Sequence, residues 1–369
     1  MTQRSTDHTF MARTIQLAAK GLYTTQPNPR VGCVIVSNGE IVGEGFHQQA
    51  GGPHAEVHAL EQAGLKAKNA TAYVSLEPCS HQGKTPPCAD ALIIAGVSRV
   101  VCAMQDPNPL VAGQGIKKLQ DAGISVDCGI LQSEAEALNP GFIKRMKSAM
   151  PFVRVKLAMS LDGRTAMASG ESKWITGAAA RADVQRLRAR SSVVLTGSGT
   201  VLADDPSMNV RASAKDLGCL TEPHQPLRAI VDSQLKISTE SKILKLPGDC
   251  IVYTTVDEQQ AKKFTPAQVV ILPSAADKVD LVKMLQHLTE LQVNEVHVEA
   301  GSELCGALLE LHLVDEIVIY MAPHLMGDSA KGLFHLPGLE LMAQRINLHI
   351  KDIRQIGKDW RITVLPQYS

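Results

Sequence analysis

The chain has 369 residues, with Lys plus Arg and Asp plus Glu numbering 37 each, so no net positive field exists to draw in nucleic acid or an anionic membrane, and a small-molecule partner is favoured. Hydrophobic residues at 44% and charged residues at 20% are ordinary for a soluble globular protein, and at roughly 100 to 200 residues per domain the length predicts two or three domains. Residues 1–19 are interrupted by Asp7 and Arg13 and lack a signal-peptide block, no run approaches the roughly 18 apolar residues of a membrane span, and eight cysteines without an export signal point to a reducing compartment, by default the cytoplasm.

In chain order, Phe10, Met11, Ile15, Leu17 and Ala18 are spaced as one face of a helix that ends by Gly21. Residues 31–36 and 41–46 are apolar runs around Ser37-Asn38-Gly39-Glu40, where Asn-Gly suits a tight hairpin turn. Strands and helices then alternate: a helix over 54–63 stopped by Gly64, a strand over 72–76, a helix over 88–95 stopped by Gly96, a strand over 99–103, then helix, strand and helix over 115–122, 124–128 and 133–146. This predicts a three-layer α/β unit. The basic stretch 144–151, ending in Pro151, marks the boundary, giving domains of 1–149 and 150–369.

Beyond it, strand-like runs at 152–157, 192–196, 227–231, 250–254, 268–272, 295–298 and 316–320 alternate with helical segments at 177–190, 277–291 and 302–311. Residues 346–356 and 360–365 around Gly357-Lys358-Asp359 read as a closing pair of strands. The second unit is therefore also α/β. No G-x-G-x-x-G follows a strand, as a dinucleotide-binding dehydrogenase would show. The strand 296–298 runs through Glu299-Ala300-Gly301-Ser302 into a helix, which either receives a cofactor phosphate or is an ordinary turn. Arg188 and Arg211 either clamp a phosphate or, for Arg188 among Arg181, Arg186 and Arg190, belong to a solvated helix face.

Residue types in the first unit point to chemistry. His54, Cys79 and Cys88 offer one imidazole and two thiolates, and Glu56 stands two residues from His54. Zinc with three protein ligands keeps a fourth position for water, whose pKa falls to about 7. His54 and Cys88 each open a helix, and a helix N-terminus favours the thiolate. Glu56 is then placed as a general acid/base. Buried free thiols with a surface histidine, or a structural zinc completed by His58 or His81, are the bland alternatives. His54 and His58 lie one turn apart as in a zinc-peptidase helix, but Ala55 stands where that motif has its Glu. The order H-x-E followed by Pro78-Cys79 fits the zinc nucleobase deaminases, except that Gln82 occupies the usual second cysteine position and the next cysteine is Cys88. The longer loop carries His81 and Lys84, suited to a phosphate or a polar pyrimidine edge, or simply solvated.

Four stretches, Asn28-Pro29-Arg30-Val31-Gly32, Gly52-Pro53-His54-Ala55-Glu56, Glu77-Pro78-Cys79 running to Cys88, and Asp106-Pro107-Asn108-Pro109 leading to Gly113-Gln114-Gly115, resemble the bifunctional riboflavin-biosynthesis deaminase/reductase family. The likeness continues through Lys156 to Gly163, Ser172 to Thr176, Gly197 to Asp205 and Val298-Glu299-Ala300-Gly301, nearly the whole chain. The resemblance implies a cytidine-deaminase-like domain followed by a dihydrofolate-reductase-like domain. The first would hydrolyse the ring amino group of 2,5-diamino-6-ribosylamino-4(3H)-pyrimidinone 5′-phosphate, with zinc on His54, Cys79 and Cys88 and Glu56 as proton carrier. The second would reduce the ribosyl group to ribityl with NADPH. It further implies that Ala158, Trp174, Thr200, Asp204, Ser233 and the turn Gly301, Ser302, Glu303, Leu304, Cys305, Gly306 and Ala307 line the NADPH site. Lys156, Ser172, Arg188, Met208, Arg211 and Glu299 would surround the sugar phosphate, with Lys156 assisting proton transfer. A homo-oligomer, dimer or tetramer, is expected. The competing readings are a nucleoside or nucleic-acid deaminase with a non-catalytic C-terminal domain, disfavoured by zero net charge and few aromatics, and a structural zinc module, which needs a fourth protein ligand.

Overall fold

The computed structural model describes residues 3–80, 87–109, 111–262, 264 and 267–368. They form two compact units, Met1–Met150 with Ser213–His224, and Pro151–Ala212 with Gln225–Ser369. The segment 213–224 departs from the boundary expected from sequence: it lies in the second half of the chain but packs with the first unit, where the His224 N–H donates to the Tyr23 carbonyl at 3.3 Å. Composition gives no sign of such an excursion.

The first unit contains α1 (Gln3–Ala19), β1 (Gly32–Ser37), β2 (Glu40–Phe46), α2 (Ala55–Ala63), β3 (Thr71–Val74), α3 (Cys88–Ala95), β4 (Arg99–Cys102), α4 (Gln114–Asp121), β5 (Ser125–Cys128), α5 (Gln132–Leu138) and α6 (Pro140–Ser148). Its sheet has the order β2-β1-β3-β4-β5, with β1 antiparallel to β2 and β3, and with β3, β4 and β5 parallel. Period-two alternation sends the strand side chains to two cores. Cys33, Ile35, Ala72 and Val74 pack with Ala55, Ala59 and Leu92 of α2 and α3. Val34, Val36 and Tyr73 pack with Met11, Leu17 and Phe142 of α1 and α6. The single helix expected over 133–146 is two, α5 and α6, because Pro140 lacks an N–H and disfavours helical geometry at Asn139. Asn139 uses the break: its side chain accepts from the Arg30 N–H at 2.8 Å and donates to the Arg30 carbonyl at 2.9 Å.

Small residues decide where α2 sits. A Cβ on Gly43 would lie 2.1 Å from the Ala59 carbonyl oxygen, and one on Gly45 would lie 2.2 Å from that of Ala55. The helix therefore rests directly on β2, with Ala55, Ala59 and Ala63 facing the sheet.

The second unit carries β6 (Phe152–Ser160), β7 (Arg164–Ala166), α7 (Ala178–Arg190), β8 (Val193–Gly197), α8 (Ser198–Asp204), then, after the one-turn α9 (Ala214–Leu217) of the excursion, β9 (Leu227–Val231), α10 (Lys242–Lys245), β10 (Cys250–Thr254), α11 (Glu258–Ala261), β11 (Gln268–Ile271), α12 (Leu281–Glu290), β12 (Glu295–Val298), α13 (Ser302–Glu310), β13 (Glu316–Ala322), β14 (Lys331–Gly332), β15 (Asn347–Ile356) and β16 (Asp359–Gln367). Nine strands form one sheet in the order β11-β10-β9-β8-β12-β6-β13-β16-β15. The strands from β11 to β13 run parallel, and β16 and β15 close the edge antiparallel. The helix expected from 277 starts at Leu281, where the Asp280 side chain accepts from the Lys283 N–H. The β7–β14 pair and α8 to α11 are too short to leave a periodic signal. Strand order reverses between β8, whose chain continues outward to β9, and β12, whose chain crosses β6 to β13. Such a switch point opens a crevice at the strands' carboxyl ends. No helix among the described residues is long and apolar enough to cross a membrane.

Because α2 has no room to give, Gly45→Ala should lower stability by about 1 to 3 kcal/mol. Urea unfolding followed by circular dichroism checks this, and an unchanged midpoint would contradict the close contact.

Candidate metal centre and reductase crevice

His54 caps the N-terminus of α2, Cys79 follows β3, and Cys88 is the first residue of α3 behind Pro87. Their ligand atoms all lie within 4.8 Å of one another. His54 Nδ1 is 3.1 Å from Cys88 Sγ and 3.7 Å from Cys79 Sγ. A tetrahedral ion with ligands at about 2.0 to 2.3 Å would space its ligand atoms by roughly 3.4 to 3.8 Å, so the donor set fits zinc after small rotations. Among the described residues no fourth His, Cys, Asp or Glu joins the cluster. His58 instead directs Nδ1 toward Glu61 at 3.9 Å. His81 and Lys84 lie outside the described residues.

The electrostatics set a lowered thiol beside a raised carboxyl. Hydrogen bonds from Cys88 and then His54 pull the Cys79 thiol well below its ordinary range, against the effect of burial. The bond to Cys79 and burial push Cys88 up, while the bond to Cys79 raises His54. Metal binding at such a set displaces protons from its ligands. Glu56, in the first turn of α2, is 2% exposed, and its Oε2 has no hydrogen-bond partner. Burial, reinforced by the charge of Cys79, raises its pKa. An unpaired buried carboxyl oxygen costs about 1 to 3 kcal/mol, and at an active site that cost goes with a group held ready for protons.

Two supports of this centre escaped the sequence reading. Glu77, 3% exposed, accepts from four backbone N–H groups: Asp106 at 3.1 Å, Gly113 at 3.0 Å, Gly115 at 2.8 Å and Ile116 at 3.2 Å. Gly115 lets α4 close on that loop, since a Cβ there would stand 1.9 Å from the Pro78 carbonyl oxygen. Together they hold the Pro78-Cys79 turn. His47 is the second: its ring meets His54 edge-on at 5.4 Å, its Nδ1 lies 3.0 Å from the Pro53 carbonyl oxygen, and its Nε2 lies 3.1 Å from Asn28 Nδ2. Burial lowers its pKa, so a neutral imidazole donating to Pro53 and accepting from Asn28 satisfies both nitrogens. The only sequence signal for Glu77 was the Glu77-Pro78-Cys79 motif, and His47 had none.

In the second unit Arg188 reaches from α7 to Glu299 just beyond β12, with Nη2 3.0 Å from Oε2 and Nε on Oε1. Its Nη1 donates to the Asn209 carbonyl at 3.0 Å, and its Nη2 is 3.7 Å from Met208 Sδ. Burial would raise the Glu299 carboxyl, but its partners, the Arg188 guanidinium foremost, outweigh it and hold it well below the ordinary range. Lys156 on β6 is lowered by burial and feels Glu299 and Arg188, and its Nζ lies 6.0 Å from the Tyr320 ring centre. The Arg211 guanidinium interacts with Arg188 and Glu299, while the Arg211 backbone N–H donates to Gln185 Oε1 at 2.8 Å. Lys156, Arg188, Met208, Arg211 and Glu299 are thus one cluster, and Arg188 is buried rather than on a solvated face. Among the described residues, Ser172 has no hydrogen bond or ion pair that draws it into this cluster.

Ala158, Thr200, Ser233 and Gly301 lie at or near the carboxyl ends of the adjacent strands β6, β8, β9 and β12. The end of β8 and the first turn of α13 stand side by side: a Cβ on Gly197 would be 3.6 Å from Leu304 Cδ2. Gly301 caps α13, with Ser302 and Glu303 in its first turn. Trp174 is 70% exposed under the Arg181 guanidinium, 4.7 Å from the ring centre, and Lys173 ties this loop to Asp204 by a 3.2 Å ion pair. Cys305 and Gly306 turn inward: the thiol is buried and bonds the Ala300 carbonyl, and Gly306 faces the His335 backbone. Ala307 follows them, half-buried, in the body of α13.

Two family models match this architecture. The cytidine and deoxycytidylate deaminase zinc-binding region matches residues 4–104, and the RibD C-terminal domain matches residues 151–362. The riboflavin biosynthesis protein RibD of Escherichia coli strain K12 is 53% identical over 358 residues, covering 96% of this chain and 97% of that protein. The RibD of Haemophilus influenzae is 52% identical over 370 residues, covering 98% of each. The chain belongs to the RibD family. Among solved structures, Acinetobacter baumannii RibD superposes with a TM-score of 0.91 at 46% identity, over 99% of this chain and 100% of that one. A Thermotoga maritima diaminohydroxyphosphoribosylaminopyrimidine deaminase/5-amino-6-(5-phosphoribosylamino)uracil reductase superposes at 0.87 with 33% identity, over 99% and 100%. The chain is thus a bifunctional deaminase and reductase of riboflavin biosynthesis, with a cytidine-deaminase-like domain and a dihydrofolate-reductase-like domain. The RibD C-terminal match overturns the reading in which the second half is non-catalytic.

Glu77→Gln removes the charge that four backbone donors share. It should weaken zinc binding by about tenfold to a hundredfold, measured by competition with a chromogenic chelator, whereas unaltered affinity would separate Glu77 from the placing of Cys79.

Proposed function

We propose that His54 Nδ1, Cys79 Sγ and Cys88 Sγ hold one zinc ion and that Glu56 carries protons in the hydrolytic deamination of 2,5-diamino-6-ribosylamino-4(3H)-pyrimidinone 5′-phosphate. Residues 150–369, apart from the excursion, then reduce the ribosyl group to ribityl with NADPH. The observation that carries this reading is a three-donor set next to a buried carboxyl oxygen without a partner. Zinc bound by three protein groups supplies a water whose pKa falls to about 7. Glu56 accepts a proton from the attacking water and returns it to the leaving amino nitrogen, so that water and ring amine become ring carbonyl and ammonia. The Pro78-Cys79 turn, held by Glu77, keeps the thiolate in place through the cycle. The name of the Thermotoga maritima relative, which specifies both reactions, supports the choice of substrate.

In the second domain NADPH supplies the hydride for the sugar carbon. Arg188 and Arg211 take the substrate phosphate, Glu299 a sugar hydroxyl, and Met208 and Ser172 complete the wall. Lys156, whose charge is disfavoured by burial, delivers the proton. Ala158, Trp174, Thr200, Asp204, Ser233 and the turn from Gly301 to Ala307 receive the cofactor, its phosphate at the N-terminus of α13. The balanced charge supports a small-molecule substrate, the free cysteines support a reducing, cytoplasmic setting, and Leu348, Ile350 and Ile353 of β15, 45%, 57% and 50% exposed, support a homo-oligomer.

Glu56→Gln should retain zinc and abolish ammonia release while NADPH oxidation on already deaminated substrate continues at the wild-type rate. Persistent ammonia release, followed by a coupled glutamate dehydrogenase assay, would remove Glu56 from its role. Stripping the metal with a chelator should silence the same step alone, and a loss of both activities would contradict the absence of metal chemistry in the second domain.

A further inference from the structure

His297 lies in the middle of β12 with no exposed surface, and neither ring nitrogen has a formed hydrogen bond. An unsatisfied imidazole at the centre of a sheet is costly, and an apolar side chain would fill the place without that cost. Its surroundings explain the choice. Alternation along the strand puts Glu295, His297 and Glu299 on one face, the face into which α7 sends Arg188 and Arg190. Strand register sets Arg154 of β6 beside it on one flank and Val194 of β8 on the other. Arg154 is occupied by Glu295 and Glu316. The nearest acceptor is Glu299, whose Oε1 lies 3.3 Å from His297 Nε2, a separation within hydrogen-bond reach but bent beyond a formed bond.

We propose that His297 is a positioning residue of the reductase: its Nε2–H is the reserve donor to Glu299, taking up the carboxylate when Arg188 turns to the substrate phosphate. This rests on the reading of Arg188 and Glu299 as substrate contacts. Arg188 spends its Nε and Nη2 on Glu299, the atoms a bidentate phosphate clamp needs. Sharing them with a phosphate leaves Glu299 short of a partner in a buried setting, and a ring already 3.3 Å away completes its bond by a small rotation. Glu299 then keeps its place to accept from a sugar hydroxyl. The imidazole stays neutral, in keeping with its burial and with the positive charges of Arg154 and Arg188 around it.

Reductase kinetics on the deaminated pyrimidine phosphate test this. His297→Phe should raise KM for that substrate about tenfold with kcat and the KM for NADPH within about twofold of wild type, and His297→Gln, which keeps an N–H near the Nε2 position, should restore most of the loss. An unchanged substrate KM in His297→Phe, or a His297→Gln variant as impaired as His297→Phe while folded by circular dichroism, overturns the proposal. Arg188→Lys and Glu299→Gln run alongside: if neither alters KM, the reading of the site fails, whereas if both raise it and His297→Phe does not, only the role of His297 fails. Should the His297 variants fail to fold, ¹⁵N-histidine spectra of the wild-type protein decide, with the Nε2–H tautomer expected for this ring and the Nδ1–H tautomer contradicting it.

Discussion

Helix α2 lies so close to β2 that a Cβ on Gly43 or Gly45 would stand 2.1 or 2.2 Å from a helix carbonyl oxygen. That approach sets the depth of the proposed metal centre. His54 caps the helix and Glu56 sits in its first turn, so the height of the helix over the sheet determines where the imidazole meets the two thiols and how deeply the carboxyl is buried. Looser packing would admit water to Glu56 and remove the burial that raises its pKa. The second half of the donor set depends on an equally fixed neighbour, the Glu77 carboxylate gathered by the N-terminus of α4.

The two domains share a device. In each, helix N-termini lie beside the carboxyl ends of parallel strands, so the positive ends of backbone dipoles and the mouths of the sheet coincide. In the first domain the helix starts at His54 and Cys88 bring together the donor set proposed to hold a metal. The second uses the switch point between β8 and β12, with the end of β8 and the first turn of α13 in contact and a buried charged cluster beside them. Neither depends on a glycine fingerprint of the dinucleotide-binding type, which explains why the second domain is quiet to motif reading.

Legibility followed from where the information is stored. That His54, Cys79 and Cys88 cluster with a buried Glu56 close by in sequence could be anticipated from the chain because metal and proton chemistry restrict residue type, and the sheet-forming runs could be read because burial imposes a period. Glu77 was visible as part of a motif but its task was not, because its four partners lie between residues 106 and 116. His47, just beyond β2, and His297, within β12, gave no signal, since a lone histidine is ambiguous until its neighbours are known. Arg188 was ambiguous between a solvated face and a buried clamp, and only the position of α7 over β12 resolves it. The order β8-β12-β6-β13 and the return of 213–224 to the first unit are long-range pairings that local propensity does not encode.

That one chain performs both reactions is the claim on which the account stands. The most direct measurement supplies purified protein with the diaminopyrimidine ribosyl phosphate and NADPH, and follows ammonia and nicotinamide absorbance together. The account predicts that ammonia appears first, that NADPH is consumed after it, and that the two reach a one-to-one ratio at completion. Ammonia release with no loss of NADPH would contradict it.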